Sequence, residues 1–233
     1  MCKAIDKMKR SSSADLFEIS SIILKSISDY LAGPLTFLFN KCIEDGYFPS
    51  VFKLVKVVPI FKKGDPNCIN NYRPISLIPI FGKVFEFLLK EQLYSYFSST
   101  ECLCSRQYGF RKECSTIQAI SRVVFDVVDG LEEGEAVGLT MCDLSKAFDC
   151  VSHDILLDKL SKYGIRGLPL KLISSYLSDR QQCVQIRRDI SPLSSITYGV
   201  PQESVLGPLL FIIYINDLYH YLSPNKCIFR PHS

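Results

Sequence analysis

The sequence predicts an α+β fold, and three observations support this class. Of the 233 residues, 47% are hydrophobic and 22% are charged, which is the composition of a globular protein with a sizeable core. Segments with an apolar residue every three or four positions indicate helices, and short apolar runs between turn residues indicate strands. The two kinds of segment are mixed without a strict strand–helix–strand repeat, which favours an α+β arrangement in one large domain or two small ones.

The N-terminal part of the chain predicts two helices and a hairpin. Asp15–Tyr30 has isoleucines at helical spacing, and a second helix is expected to begin at Pro34 and to end at Gly46. Two extended segments, Val57–Phe61 and Tyr72–Ile78, flank a turn-rich stretch and form the predicted hairpin.

Positive charge is concentrated on this hairpin, although the net charge of the chain is only +3. The basic residues between positions 53 and 73 are Lys53, Lys56, Lys62, Lys63 and Arg73. Asp65 is the one acidic residue among them. Such a cluster either binds phosphates or forms an ordinary solvated face, and composition does not decide between these interpretations.

The remainder of the chain continues the mixed pattern. Helices are predicted at Phe81–Phe97, Thr116–Leu131, Asp154–Tyr163, Leu168–Leu177 and Gly207–Tyr221, and short strands at Cys183–Ile186 and Ser195–Val200. The last of these helices is apolar all round and is therefore expected to be buried.

A short apolar run that ends on a carboxylate is the most informative stretch. Ala136–Cys142 predicts a buried strand, and Asp143 follows it directly. An unpaired charge at the end of a buried strand is costly, so Asp143 needs a partner. It either holds a hard cation such as Mg²⁺ or caps the following helix.

Composition also argues against several classes of protein. The ten cysteines are scattered and no secretory signal precedes them, so reduced thiols and an intracellular location, nuclear or cytoplasmic, are expected. Cys102, Cys104 and Cys114 lack the second ligand pair of a zinc site. Val205–Ile215 is too short to span a bilayer, so no membrane partner is predicted.

Six segments in order resemble the reverse transcriptase of non-LTR retrotransposons. They are PIFKKGD (Pro59–Asp65), NYRPISL (Asn71–Leu77), QYGFRK (Gln107–Lys112), DLSKAFDCVSHDILL (Asp143–Leu157), SYLSDRQQCVQI (Ser175–Ile186) and GVPQESVLGPLLFIIYINDL (Gly199–Leu218). The resemblance implies a right-hand polymerase fold. Residues 1–135 would be N-terminal helices and fingers, residues 136–233 would be a partial palm, and the thumb would be absent. It also implies RNA-directed DNA polymerase activity, with an RNA template, a DNA primer and deoxynucleoside triphosphates as partners and Mg²⁺ as cofactor.

The resemblance assigns roles at the nucleotide site. Asp143 matches a catalytic aspartate that holds Mg²⁺ in two-metal phosphoryl transfer. Lys62 and Arg73 match the finger residues that grip the triphosphate. Phe148 matches the bulky residue under the sugar, although a core aromatic is the plainer interpretation of that position. Gln202 matches the residue that contacts the incoming nucleotide where it meets the template.

Nucleic-acid contacts are expected at four further cations, namely Lys56, Lys63, Arg111 and Lys112. For Arg111 and Lys112 a template contact and a solvent-exposed position both stay open. Asp149 is expected to cap the helix that follows it.

Two departures from the family pattern bear on activity. Glu203 and Glu113 stand where glycine is usual, and Glu203 adds bulk and negative charge near the nucleotide. The chain reads Arg230–Ser233 where the family has its paired catalytic aspartates, and Asp217 does not replace them. We therefore expect an inactive fragment of a polymerase. The alternatives are a non-catalytic nucleic-acid-binding relic that uses the basic fingers and a structural relic with no partner.

Overall fold

A computed structural model describes residues 1–144 and 146–222, which contain both helices and strands as predicted. The strands are β1 (Leu54–Phe61), β2 (Tyr72–Leu77), β3 (Arg180–Ile186), β4 (Asp189–Ile190) and β5 (Ser194–Ile196). The helices are α1 (Cys2–Asp6), α2 (Ser21–Ser26), α3 (Ser28–Asp45), α4 (Ile80–Ser99), α5 (Thr116–Glu132), α6 (His153–Lys162), α7 (Gly167–Leu177), α8 (Gly207–Tyr214) and α9 (Leu218–Leu222).

The sheet joins the two halves of the chain. β1 pairs with β2 in antiparallel register, which places Ile60 opposite Arg73 and confirms the predicted hairpin. On its other side β1 pairs with β3 in parallel, and β3 also pairs with β4 and β5. Residues before and after position 135 therefore share one sheet.

An aromatic cluster packs helices α3, α4 and α7 against one another. Phe85 of α4 stacks on Phe39 of α3 with ring centroids 4.6 Å apart and on Phe48 at 5.3 Å. Tyr176 of α7 meets Phe48 edge to face at 5.0 Å. Burial of each phenylalanine contributes about 1.5–3 kcal/mol, so this cluster is a main source of stability.

Asp15 begins a turn instead of the predicted helix over Asp15–Tyr30. Its Oδ1 accepts hydrogen bonds from the amides of Phe17 and Ile19, and its Oδ2 accepts one from the amide of Ile80 at the start of α4. The helical part starts only at Ser21, after the N-cap Ser20. The prediction was wrong here because a contact distant in sequence uses the carboxylate of Asp15.

The predicted helix start at Pro34 was also wrong, because α3 begins at Ser28 and contains the proline. A proline inside a helix removes one backbone hydrogen bond, and the solvent-exposed position of Pro34 leaves the freed carbonyl a route to water. The predicted end was correct: Gly46 follows α3 with φ +61°, the left-handed conformation that glycine adopts easily.

The predicted buried strand over Ala136–Cys142 is an exposed, irregular segment. Val137, Leu139 and Met141 are 41%, 61% and 73% exposed. A strand needs a neighbour to accept and donate its backbone hydrogen bonds, and no strand of residues 1–144 and 146–222 pairs with this segment.

The predicted helix over Gly207–Tyr221 is divided into α8 and α9. Asn216 lies at the division, and its side chain accepts a hydrogen bond from the amide of Cys104 and donates to the carbonyl of Cys102 and the hydroxyl of Tyr163. The burial of α8 was predicted correctly. Across the described ranges, no helix combines the length and the apolar character that crossing a membrane requires.

Candidate nucleotide and nucleic-acid interface

The loop before α8 folds back onto the segment that follows Asp143. The amide of Gly199 donates to the carbonyl of Val151 at 2.8 Å, and the amide of Val200 donates to the carbonyl of Phe148 at 2.9 Å. Gly199 has φ +85°, and a Cβ there would lie 2.9 Å from the Cα of Asp149. Glycine is therefore required for this close approach.

Two side chains strengthen the same contact. Nε2 of Gln202 donates to Oδ1 of Asp149 at 3.0 Å, and Nε2 of His153 lies 2.8 Å from the carbonyl oxygen of Gly199. Asp149 thus bonds to Gln202, whereas the N-cap of α6 is Ser152. The predicted capping role of Asp149 was wrong because the returning loop brings it a donor from another segment.

Phe148 packs at the base of this contact. Its ring stacks on Phe211 of α8 with centroids 4.8 Å apart and meets Phe110 edge to face at 5.8 Å. The side chain is half-buried, so one part belongs to the core while the other part is accessible. The structure thus holds the ring firmly, which suits either of its two predicted roles.

The described residues do not form a metal centre around Asp143. Asp143 is exposed on the irregular segment before Lys146, and within residues 1–144 and 146–222 no three His, Cys, Asp or Glu side chains are grouped as metal ligands. Asp217 forms an ion pair with Lys159. The expected absence of the paired aspartates concerns Arg230–Ser233, which lie outside the described residues.

The tip of the β1–β2 hairpin presents three exposed cations, Lys62, Lys63 and Arg73. The backbone amide of Lys62 donates to the carbonyl of Asn71 at 2.8 Å, which closes the hairpin beyond the last strand pair. In the part of the chain that the structure describes, no carboxylate lies within salt-bridge distance of these three cations. Their charges are therefore available to an anionic partner.

Lys56 does not belong to this surface, which corrects its predicted place in a nucleic-acid interface. It is only 8% exposed, and its Nζ donates to the backbone carbonyl of Asp15 at 2.9 Å. The Lys56 side chain extends from β1 to the N-terminal segment. The ammonium group therefore fixes that segment and is not accessible to phosphates.

Arg111 and Lys112 both form contacts with other residues of the chain. Nη1 of Arg111 donates to the carbonyls of Cys104 and Gln107, which are in its own loop. Nζ of Lys112 lies 3.2 Å from the Glu91 carboxylate and 4.7 Å from the ring centroid of Tyr94. Both remain part of the predicted nucleic-acid surface, with Lys112 the more exposed of the two.

Comparison with known proteins shows to which family the chain belongs. The family described as "Reverse transcriptase (RNA-dependent DNA polymerase)" matches residues 60–229, which is most of the chain. The chain belongs to the reverse transcriptase family. The match includes the hairpin tip with β2, the Asp143–Asp154 segment and the Gln202 loop.

The curated relatives are polymerases of mobile elements. The chain is 32% identical over 212 residues to the RNA-directed DNA polymerase from mobile element jockey of Drosophila melanogaster, covering 91% of this chain and 23% of the relative. It is 29% identical over 238 residues to the probable RNA-directed DNA polymerase from transposon BS of the same fly, covering 97% and 26%. The identification with non-LTR retrotransposons is thereby confirmed, and the chain spans about a quarter of these relatives' length.

A solved structure supports the fold. The partial Cas6-RT-Cas1–Cas2 complex matches 98% of this chain and 34% of its own chain with a TM-score of 0.51 and 18% identity. At this identity the likeness concerns the fold alone.

Both glutamates that depart from the reverse transcriptase pattern adopt left-handed backbone conformations. Glu203 has φ +63° and Glu113 has φ +64°. A side chain with a Cβ is strained there by about 1–2 kcal/mol, whereas glycine is not. At both positions the backbone therefore has the conformation that suits glycine, the residue usual in the family pattern.

Sequence reasoning missed Glu86, the buried carboxylate of α4. Its side chain is fully buried, and its Oε2 accepts hydrogen bonds from the amides of Val205 at 2.7 Å and Leu206 at 3.3 Å. Burial raises the pKa of the Glu86 carboxyl above its usual range, against the opposing effects of Arg180 and the two amides. The available signal was a lone acid on the apolar face of a predicted helix.

Proposed function

We propose that this reverse transcriptase chain provides the nucleotide-contacting fingers and the first part of the palm of an RNA-directed DNA polymerase, which adds deoxynucleotides to a primer on an RNA template. One observation carries the proposal. The Gly199–Leu206 loop closes onto the Phe148–Val151 segment through Gln202 and Asp149. Two family motifs about fifty residues apart thus meet in one contact, and the predicted catalytic Asp143 precedes Phe148 by five residues in the sequence.

The proposed roles follow from the chemistry of the side chains in this contact and of the cations at the hairpin tip. Arg73 and Lys62 would bind the triphosphate, Arg73 through two parallel hydrogen bonds and Lys62 as a point charge. Gln202 would contact the incoming nucleotide, and its present bond to Asp149 holds the amide in place. Phe148 would set the space beneath the sugar, because Phe110 and Phe211 restrict its ring.

The side chains around Asp143 do not support the two-metal step of the family mechanism. Mg²⁺ pairs require several oxygen ligands, and the described ranges 1–144 and 146–222 group no three candidate ligands around Asp143. The residues present therefore do not fit a complete metal pair. We infer that the 233-residue chain alone does not extend a primer.

Primer extension tests the catalytic proposal. The chain is compared with an extended chain, in which the polymerase sequence that follows the matched region in the jockey relative replaces residues 223–233. The template is RNA and the substrates are deoxynucleotides with Mg²⁺. We expect extension only by the extended chain, and we expect Asp143→Ala to abolish it. Extension by the unmodified chain, or extension that survives Asp143→Ala, would refute the assignment.

A second candidate function is non-catalytic binding of single-stranded nucleic acid. The three exposed cations of the hairpin, Lys62, Lys63 and Arg73, favour it because they need no metal to attract phosphates. In this case binding persists in the unmodified chain although catalysis is absent.

A further inference from the structure

The Gln202 loop is fixed at both ends, but by different kinds of contact. At its start, the amides of Gly199 and Val200 bond to backbone carbonyls of the Phe148–Val151 segment. At its end, the amides of Val205 and Leu206 bond to a single side-chain oxygen, Oε2 of Glu86. Gln202 lies between these two attachments. The position of its side chain therefore depends on both.

Within the loop, Ser204 adds a local brace. Its hydroxyl donates to the carbonyl of Pro201 at 2.7 Å and accepts from the amide of Gly207 at 2.9 Å. This brace ties the loop to itself and to the start of α8. It does not connect the loop to α4, whereas Glu86 does so through the contacts given above.

Glu86 lies in an unusual polar cluster inside the core. Arg180 and Tyr176 are fully buried beside it, with the guanidinium of Arg180 4.8 Å from the ring centroid of Tyr176. Nη1 of Arg180 donates to the backbone carbonyl of Tyr176. Oε1 of Glu86, Nε and Nη2 of Arg180 and the hydroxyl of Tyr176 have no hydrogen-bond partner of standard geometry in the described chain.

Stability alone does not account for this cluster. Each buried polar atom without a partner costs about 1–3 kcal/mol, and a buried ion pair is often no more stable than apolar side chains of similar volume. An apolar residue at position 86 could neither offset the charge of the buried Arg180 nor accept hydrogen bonds from the loop amides. Only the second of these losses acts directly on the Gln202 loop.

We infer that Glu86 is a positioning residue that sets the place of Gln202 at the nucleotide surface by holding the end of its loop. The inference rests on the proposed function for its link to catalysis. Its structural part, the attachment of the loop, stands independently. Glu86 itself contacts backbone amides and touches neither Gln202 nor Asp149 by any hydrogen bond in the described residues.

Site-resolved hydrogen exchange on the unmodified chain tests the attachment. In Glu86→Ala we expect the amides of residues 199–206 to exchange about tenfold faster relative to those of α4 and α7. Glu86→Gln retains one carbonyl oxygen and should restore most of the protection. If Glu86→Ala does not fold, Glu86→Gln is compared with the wild type instead. In that comparison we expect a smaller acceleration of amide exchange, confined to residues 203–206. Glu91→Ala, a change of a surface acid on the same helix, is the control.

An acceleration spread evenly over α4, α7 and the loop would overturn the inference, because it would show that Glu86 only stabilises the core. An unchanged loop in both variants would overturn it as well.

The link to catalysis has its own readout in the extended chain. We expect Glu86→Gln to raise KM for the deoxynucleotide about threefold to tenfold with a smaller change in kcat, because displaced Gln202 weakens nucleotide binding. Loosening of the loop without any kinetic change would overturn the positioning role. An extended wild-type chain that is inactive would count against the proposed function, and the exchange result would still decide the attachment of the loop.

Discussion

At the scale of single residues, backbone conformation gives the clearest prediction. Glu203 sits at φ +63°, so Glu203→Gly removes the strain of a left-handed glutamate but adds the chain entropy of glycine. We expect a net gain of about 0.5–1 kcal/mol in the free energy of unfolding. Denaturant unfolding measures it.

The matched control is Glu91→Gly, which places glycine in the interior of α4. There the free energy of unfolding should fall by about 1 kcal/mol, since no strain is relieved. A loss of stability in Glu203→Gly comparable to that of the control would show that the left-handed conformation of Glu203 is not strained.

Glu86 gives a prediction for the pH dependence of stability. Its folded-state pKa is raised above the unfolded value, chiefly by burial. Its contribution to stability is therefore full below the ordinary glutamate pKa and is lost as the pH rises through the raised value. Arg180 and Tyr176 are the charged or titratable groups that face it.

Glu86→Gln stays neutral, so its stability relative to the wild type should improve as the pH rises through this window. The midpoints of urea unfolding for both proteins across mildly acidic to neutral pH measure the difference. A constant difference over that range would contradict the raised pKa.

Residue identities predicted part of the site, and tertiary contacts decided the rest. The motif that begins at Gly199 was recognised by its family resemblance, and the structure shows why glycine stands there: a Cβ would lie too close to Asp149. The burial of Lys56 was not predictable, since a lysine on an alternating strand can face either way until its neighbours are known. Glu86 was missed for the same reason: its partners are backbone amides 119 and 120 positions away.

At the scale of elements, the hairpin tip should dominate nucleic-acid binding. Lys62→Ala, Lys63→Ala and Arg73→Ala together remove three exposed cations without touching the core. Each phosphate contact to a single strand contributes about 0.7 to the slope of log K against log salt, so the triple variant should lower the slope by up to about 2. Fluorescence anisotropy with a single-stranded RNA at several salt concentrations measures it.

The control variant changes the same net charge elsewhere, with Lys41→Ala, Lys90→Ala and Lys162→Ala on helices α3, α4 and α6. It should keep most of the salt dependence. Equal slopes for the two triple variants would show that binding follows net charge and not the hairpin.

Elements with a strong local pattern were predicted well. The capping box of Ser115 and Gln118 at the start of α5 and the apolar repeat behind it fix that helix from local sequence. The segment over Ala136–Cys142 has a pattern typical of a strand, but a strand also needs a neighbour, which local sequence does not supply. The start of α2 depended on Asp15 reaching α4, a contact between positions 65 residues apart.

At the scale of the whole molecule, one sheet and the packed helices join segments that are distant in sequence. The parallel pairing of β1 with β3 places the hairpin beside the second half of the chain, and Glu86 joins α4 to the Gln202 loop. The family resemblance predicted which motifs belong together. The physical links that join them were visible only in three dimensions.

The most direct test of the central claim is photo-crosslinking of a deoxynucleoside triphosphate that carries a photoreactive base or phosphate, bound to the extended chain with primer and RNA template. Peptide mapping should place the adducts in three segments: the hairpin with Lys62 and Arg73, the Asp143–Asp149 segment, and the Gln202 loop. Excess unlabelled deoxynucleotide should abolish them. Competed adducts that lie elsewhere, with none in these three segments, would contradict the claim that they surround one nucleotide.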